Sequence, residues 1–188
     1  MAKVFVFLAP GFEEIEALIP VDVLLRGGLD VKTVSIADTL EVESAHGITV
    51  KADMLFGQAN LSDAALLVLP GGMPGAAHLD MHEGVRKAVA AQATSGKPVA
   101  AICAAPMVLG RLGLLKGRKA TCYPGFEKYL DGAEYTADLC TVDGNITTGE
   151  GPAAAFPFAY ALLAQLTDEE TANEVATGMR YRHLMENR

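Results

Sequence analysis

The chain has 188 residues, 51% of them hydrophobic and 20% charged, and a formal net charge of −8. That is enough for one domain, residues 1–188, with a full hydrophobic core, and it excludes a disordered chain. The acidic balance argues against nucleic acid and anionic membrane as electrostatic partners.

Lys3 to Leu8 is β-branched and aromatic and reads as a central strand, broken by Pro10-Gly11. The run is too short for a signal peptide or a membrane span. Glu13 opens a helix that runs to about Arg26 and stops at Gly27-Gly28. Acids at Glu13, Glu14 and Glu16 suit the positive end of its dipole, and Glu13 and Glu14 fit a surface position. Beyond Glu16 this helix is apolar almost all round, so a second surface must cover the side that the sheet does not. A partner subunit is the simplest cover. Asp22 and Arg26, spaced i,i+4, can pair with each other or across a two-fold interface. Pro20 lies inside the helix and cannot donate to the Glu16 carbonyl, so a bend or a tolerated kink is expected there.

Val31 to Ile36 is the next strand and completes a parallel βαβ unit. Leu40 to Val50 alternates like a hairpin around His46-Gly47. Leu66 to Leu69 is a buried strand ended by Pro70-Gly71-Gly72, and His82 to Ser95 has helical spacing. Pro98 to Ile102 is another buried strand. It runs into Cys103-Ala104-Ala105-Pro106 and a second apolar run. Ala120 to Tyr123 reads as a strand. Glu134 to Val142 and Asn145 to Thr148 flank the hairpin signal Asp143-Gly144. Ala153 to Leu166 and Asp168 to Thr177 read as closing helices, the second with Thr167 as N-cap and Glu170 in capping-box position. The alternation implies an α/β sandwich with a mainly parallel sheet, whose ligands sit outside the carboxyl ends of the strands.

The chemistry gathers at Cys103. A strand turning straight into a helix leaves one residue on the bend, as in a nucleophile elbow, and small neighbours such as Ala104 leave room for it. The dipole of the following helix should favour thiolate, the reactive form. The plain alternative is a buried structural cysteine, and that reading suits Cys122 and Cys140. Three cysteines at irregular spacing form neither a disulfide framework nor a CxxC metal pair, which suits a reducing cytoplasm. Glu16 can face the same crevice. A carboxyl beside a thiolate should keep its proton and donate it as a hydrogen bond. The turn at Gly71-Gly72 leaves backbone N–H groups free, and with the Ala104 N–H these could form an oxyanion site. It is not a nucleotide fingerprint. Of the histidines, His78 and His82 read as surface residues at a helix start, with no metal-site motif around them, while His46 could reach the strand-end crevice.

Together these motifs resemble the ThiJ/PfpI superfamily, in the branch of Parkinson disease protein 7 and its bacterial relatives. The segments that carry the resemblance are Leu8 to Glu16, Ile19 to Val23, Leu69 to Gly72, Ala100 to Pro106 and Gly151-Pro152. It implies a flavodoxin-like three-layer sandwich and a homodimer. It implies that Cys103 is an elbow nucleophile easily oxidised to sulfinate, that Glu16 is its protonated partner, and that Gly72 and Ala104 supply the amides. Gly71, His46, Tyr123, Gly151 and Pro152 would line the site. The activities ascribed to the branch are cofactor-free and metal-free: glyoxalase-like conversion of methylglyoxal, protein deglycation, and oxidative-stress sensing or chaperone action. An older family name refers to thiazole monophosphate biosynthesis.

Two departures bear on turnover. The human-type branch has a histidine before a proline where this chain has Tyr123-Pro124. Peptidase and amidotransferase branches have a histidine directly after the nucleophile, where this chain has Ala104, which argues against a Cys-His hydrolase. A basic residue of the relatives near Ser44 corresponds here to His46. Three functions follow as expectations: an enzyme acting on small reactive aldehydes or glycated substrates, a redox sensor without turnover, and a flavin-binding module. Only sheet topology suggests the last.

Overall fold

A computed structural model describes residues 2–187. Eleven short strands and seven helices alternate among the described residues. The strands are β1 (Lys3–Leu8), β2 (Asp30–Ser35), β3 (Glu41–Glu43), β4 (Thr49–Lys51), β5 (Met54–Leu55), β6 (Ala64–Leu69), β7 (Val99–Ile102), β8 (Lys119–Ala120), β9 (Glu134–Tyr135), β10 (Cys140–Asp143) and β11 (Ile146–Gly149). The helices are α1 (Glu14–Arg26), α2 (Gly75–Met81), α3 (Glu83–Thr94), α4 (Pro106–Arg111), α5 (Ala155–Leu166), α6 (Glu169–Gly178) and α7 (Tyr181–Glu186).

The main sheet has the order β10-β11-β7-β6-β1-β2-β5. All its pairs are parallel except the β10–β11 hairpin. The crossover β1-α1-β2 runs one way along the sheet, and β6-α3-β7 runs the other. Because such crossovers are right-handed, α1 and α3 lie on opposite faces. The apolar runs of β1, β6 and β7 are buried because both faces are covered. The order reverses between β1 and β6, and the carboxyl ends there open a crevice suited to a ligand.

Several local expectations need correction. Ala120 to Tyr123 is strand only at Lys119–Ala120, which pairs with Glu134–Tyr135 and not with the main sheet. The arm Glu134 to Val142 is broken in two, with Ala137 in the left-handed region at φ 56°. Asp168, not Thr167, caps α6, because its carboxylate accepts from the Thr171 N–H at 2.7 Å. His82 is the N-cap of α3, with Nδ1 accepting from the Val85 N–H at 3.1 Å, and a separate short helix, α2, precedes it. The β3–β4 hairpin forms as expected.

α1 runs unbroken through Pro20. It buries Ala17, Pro20, Val23 and Leu24, but Ile15, Leu18 and Leu25 are 47%, 38% and 52% exposed. Asp22 and Arg26 pair with each other at 2.9 Å.

Candidate active site

Cys103 follows β7 at the carboxyl edge of the sheet. It is the turn residue, with φ 65°. A side-chain-bearing residue rarely occupies this left-handed region, and holding it there costs about 1–3 kcal/mol. Flanking backbone bonds hold it: Cys103 N–H donates to Gly149 O at 2.9 Å, and Tyr123 N–H donates to Cys103 O at 2.9 Å. The residue is 9% exposed.

The backbone N–H groups of Gly72 and Ala104 lie on the sulfur's side of the turn and favour its thiolate form. α4, the helix after the bend, has only six residues, so its dipole adds little and the two amides take that role. Burial, together with the charge and hydrogen bonding of Glu16, still pushes the Cys103 thiol up, to about 12, while the two amides oppose the rise. This runs against the expectation drawn from the bend alone.

Glu16 is fully buried. Its Oε2 accepts from the Gly71 N–H at 2.9 Å. Its Oε1 has no hydrogen-bond partner by distance and angle among the described residues, although the carboxyl lies close enough to the thiol for each to shift the other's ionisation. Burial raises the Glu16 carboxyl to about 7. The neighbouring Glu13 charge adds to this, and the thiol and the Gly71 amide oppose it.

The glycine pair is dictated by space. A Cβ on Gly71 would lie 2.6 Å from Glu16 Oε2 and 2.7 Å from Cys103 Cβ. Gly72 has φ 84°, and a Cβ there would meet the Glu13 backbone nitrogen at 2.4 Å. Only glycine lets this turn approach both reactive side chains.

Glu13 and Glu14, expected at the surface, are buried. Glu13 caps α1, its Oε2 accepting from the Glu16 N–H at 2.8 Å. Glu14 takes hydrogen bonds from Ser44 Oγ, the His46 N–H at 3.2 Å and His46 Nδ1 at 2.7 Å. Burial opposes its charge, yet these bonds hold the Glu14 carboxyl down at about 2. His46 is raised in turn by its bond to Glu14. Thus His46 ties the β3–β4 hairpin to α1 and makes no contact with the sulfur. Glu13, Glu14 and His46 have ligand-type atoms within 4.8 Å of one another. They are the residues that could hold a metal ion, but both Glu14 oxygens are already engaged.

Tyr123, Gly151 and Pro152 come together, in a cleft whose lining does not include Cys103 or Glu16. With Pro124, Glu150 and two alanines they line that cleft, of about 240 Å³, beside the bend. Glu150 was not singled out from the sequence. Its position directly after β11, at the edge where ligands gather, was the available signal. The cleft of about 490 Å³ between α5, α6 and α7 shares no residue with this site.

A switch-point crevice in a parallel sheet, with a strained cysteine facing a buried carboxyl, defines a flavodoxin-like protein with a candidate elbow thiol. The chain belongs to the DJ-1/PfpI family, whose model matches residues 2–165. It is 41% identical over 176 residues to protein DJ-1 homolog B of Arabidopsis thaliana, covering 93% of this chain and 40% of that protein. The chain thus spans less than half the length of that relative. It is 33% identical over 153 residues to a deglycase of Pyrococcus horikoshii, covering 80% of this chain and 91% of that one. Among solved structures, oxidized DJ-1 of Toxoplasma gondii superposes with a TM-score of 0.91 at 35% identity, covering 95% of this chain and 98% of that chain. Among the described residues no helix is long and apolar enough to cross a membrane.

Proposed function

We propose that this protein acts on small reactive carbonyls, free or attached to amines, through Cys103 with Glu16 as proton carrier and without a cofactor. The observation that carries the reading is the Cys103 residue itself, placed on a strained bend with its sulfur beside a buried carboxyl and near two amides that favour the thiolate. Thiol and carboxyl share their protons as a pair. Once one proton has left, two arrangements compete. A thiolate keeps the Gly72 and Ala104 amides. A carboxylate has one amide, a bare Oε1 and the Glu13 charge nearby. The balance of donors favours thiolate with protonated Glu16, and the upward push of Glu16 on the thiol disappears when Glu16 is neutral.

The thiolate then adds to an aldehyde carbon. The carbonyl π pair moves to oxygen, which takes the Glu16 proton, giving a hemithioacetal and a Glu16 carboxylate. The sulfur's two amides lie next to the new oxygen and can transfer to it. The name of the Pyrococcus relative supports a carbonyl adduct as substrate. Lactate formation from methylglyoxal tests the reading, and equal rates for the wild type and Cys103→Ala would reject it.

A second reading has its own support, since the Toxoplasma relative was solved oxidized. Peroxide would convert the thiolate to sulfenate and then sulfinate, releasing water or hydroxide at each step. The sulfinate oxygens would accept from the same amides and from Glu16. Peptide mass spectrometry after mild peroxide should find Cys103 oxidised first; earlier oxidation of Cys122 or Cys140 would reject a sensor role. We also propose a homodimer through the exposed apolar side of α1, and a reducing cytoplasm as its setting.

A further inference from the structure

The cleft beside Cys103 carries a charge that the chemistry above does not use. β11 and β7 pair in parallel with Gly149 opposite Ile102, and Cys103 N–H bonds to Gly149 O. Glu150 and Cys103 are therefore the residues that directly follow the last paired positions of two adjacent strands. The same cleft is lined by Tyr123, 47% exposed, whose ring packs on the bare backbone of Gly151, where a Cβ would sit 3.1 Å from ring atom Cδ2.

Glu150 has no ion pair among the described residues. The residues that line the cleft include no lysine or arginine. Tyr135 is made harder to ionise by burial first, then by the Cys122 thiol and by the negative charges of Glu127 and Glu150. A carboxylate without a cation, an exposed aromatic ring and a lining of glycine and proline are suited to a positive charge with an apolar stem.

We propose that this cleft is a specificity subsite for an ammonium or guanidinium group, so that cation-bearing carbonyl substrates are preferred over anionic ones. This rests on Cys103 being the reacting group. Glu150 attracts the cation and rejects carboxylates and phosphates, while Tyr123 holds the stem and the charge. The aldehyde carbon would then lie across the strand pair, at the sulfur. Tyr123, standing where an imidazole is found in relatives, serves here as a binding surface rather than a base.

The test uses the full chain and two thiosulfonate reagents of similar size, one carrying trimethylammonium and one sulfonate. Second-order rates of Cys103 labelling are read by peptide mass spectrometry at neutral pH and low ionic strength. The expected wild-type ratio of cation to anion rates falls about threefold to tenfold in Glu150→Gln, the size expected for losing one partly exposed charge. Glu41→Gln, on the remote hairpin, leaves the ratio unchanged and controls for net charge. Tyr123→Leu slows the cation and spares the anion, and high salt collapses the ratio without any substitution. An unchanged ratio in Glu150→Gln overturns the subsite while leaving the reactive thiol standing. No labelling of Cys103 by either reagent overturns both.

Discussion

Gly71 N–H donates to Glu16 Oε2 at 2.9 Å, and a Cβ on Gly71 would lie 2.6 Å from that same oxygen. The amide thus fixes one carboxyl oxygen and leaves Oε1 as the atom able to carry a proton. The turn sets the position of the group beside the sulfur, while burial keeps its proton on against the pull of the same amide.

The two shifts give the pair a first proton loss near pH 7 and a second near 12. With the first proton coming from sulfur, as proposed, Cys103 alkylation rises with a midpoint near 7. Glu16→Leu, which removes the donor, moves that midpoint up, and Glu16→Gln largely preserves it. If the first comes from Glu16, alkylation rises near 12 and Glu16→Leu moves it down. The stability term does not depend on that choice. The folded pair holds an extra proton between about 4.5 and about 7, so its contribution to stability falls as pH rises through that window. Denaturant titrations of the wild type and Glu16→Gln, compared across the window, check this.

Gly71→Ala should reduce Cys103 alkylation more than tenfold and destabilise the fold by about 1–3 kcal/mol, because the new methyl is trapped between Glu16 and Cys103. Full reactivity in a folded Gly71→Ala protein would show that the Gly71–Glu16 contact is dispensable.

Glu14 behaves in the opposite sense to Glu16. Its carboxyl is held at about 2, so its stabilising effect is complete above about pH 4.5 and is lost as pH falls toward 2. The contribution is on the order of 1–3 kcal/mol. Acid denaturation of Glu14→Gln should lack this component, and a superimposable acid limb in the variant would count against it.

Light scattering at micromolar concentration should report a dimer, and Leu18→Lys should shift it toward monomer by placing charge on the exposed apolar side of α1. A wild-type monomer would remove the proposed interface.

Much of this was legible in the chain. The runs Val4 to Leu8, Leu66 to Leu69 and Val99 to Ile102 are apolar without alternation, and only a strand covered on both faces needs that pattern. The bend at Cys103 and the glycine turn followed from size and position. What was not legible depended on distant partners. Glu13 and Glu14 look like surface acids until Ser44 and His46 arrive from the hairpin, about thirty residues on, to bond Glu14. The rise in the Cys103 thiol is set by burial and by Glu16, which no local pattern reports. α2 was missed because it is only seven residues long and starts directly after Pro74. Glu150 gave no periodic signal at all.

The backbone of Cys103 is clasped from both neighbours, by Gly149 and by Tyr123. Local fraying cannot free it, because Gly149 ends a strand already paired with β7. Amide hydrogens of Cys103 and Tyr123 should therefore exchange with deuterium only as slowly as the central sheet itself. The tension at the bend is thus held by the sheet on one side and by the Tyr123 loop on the other.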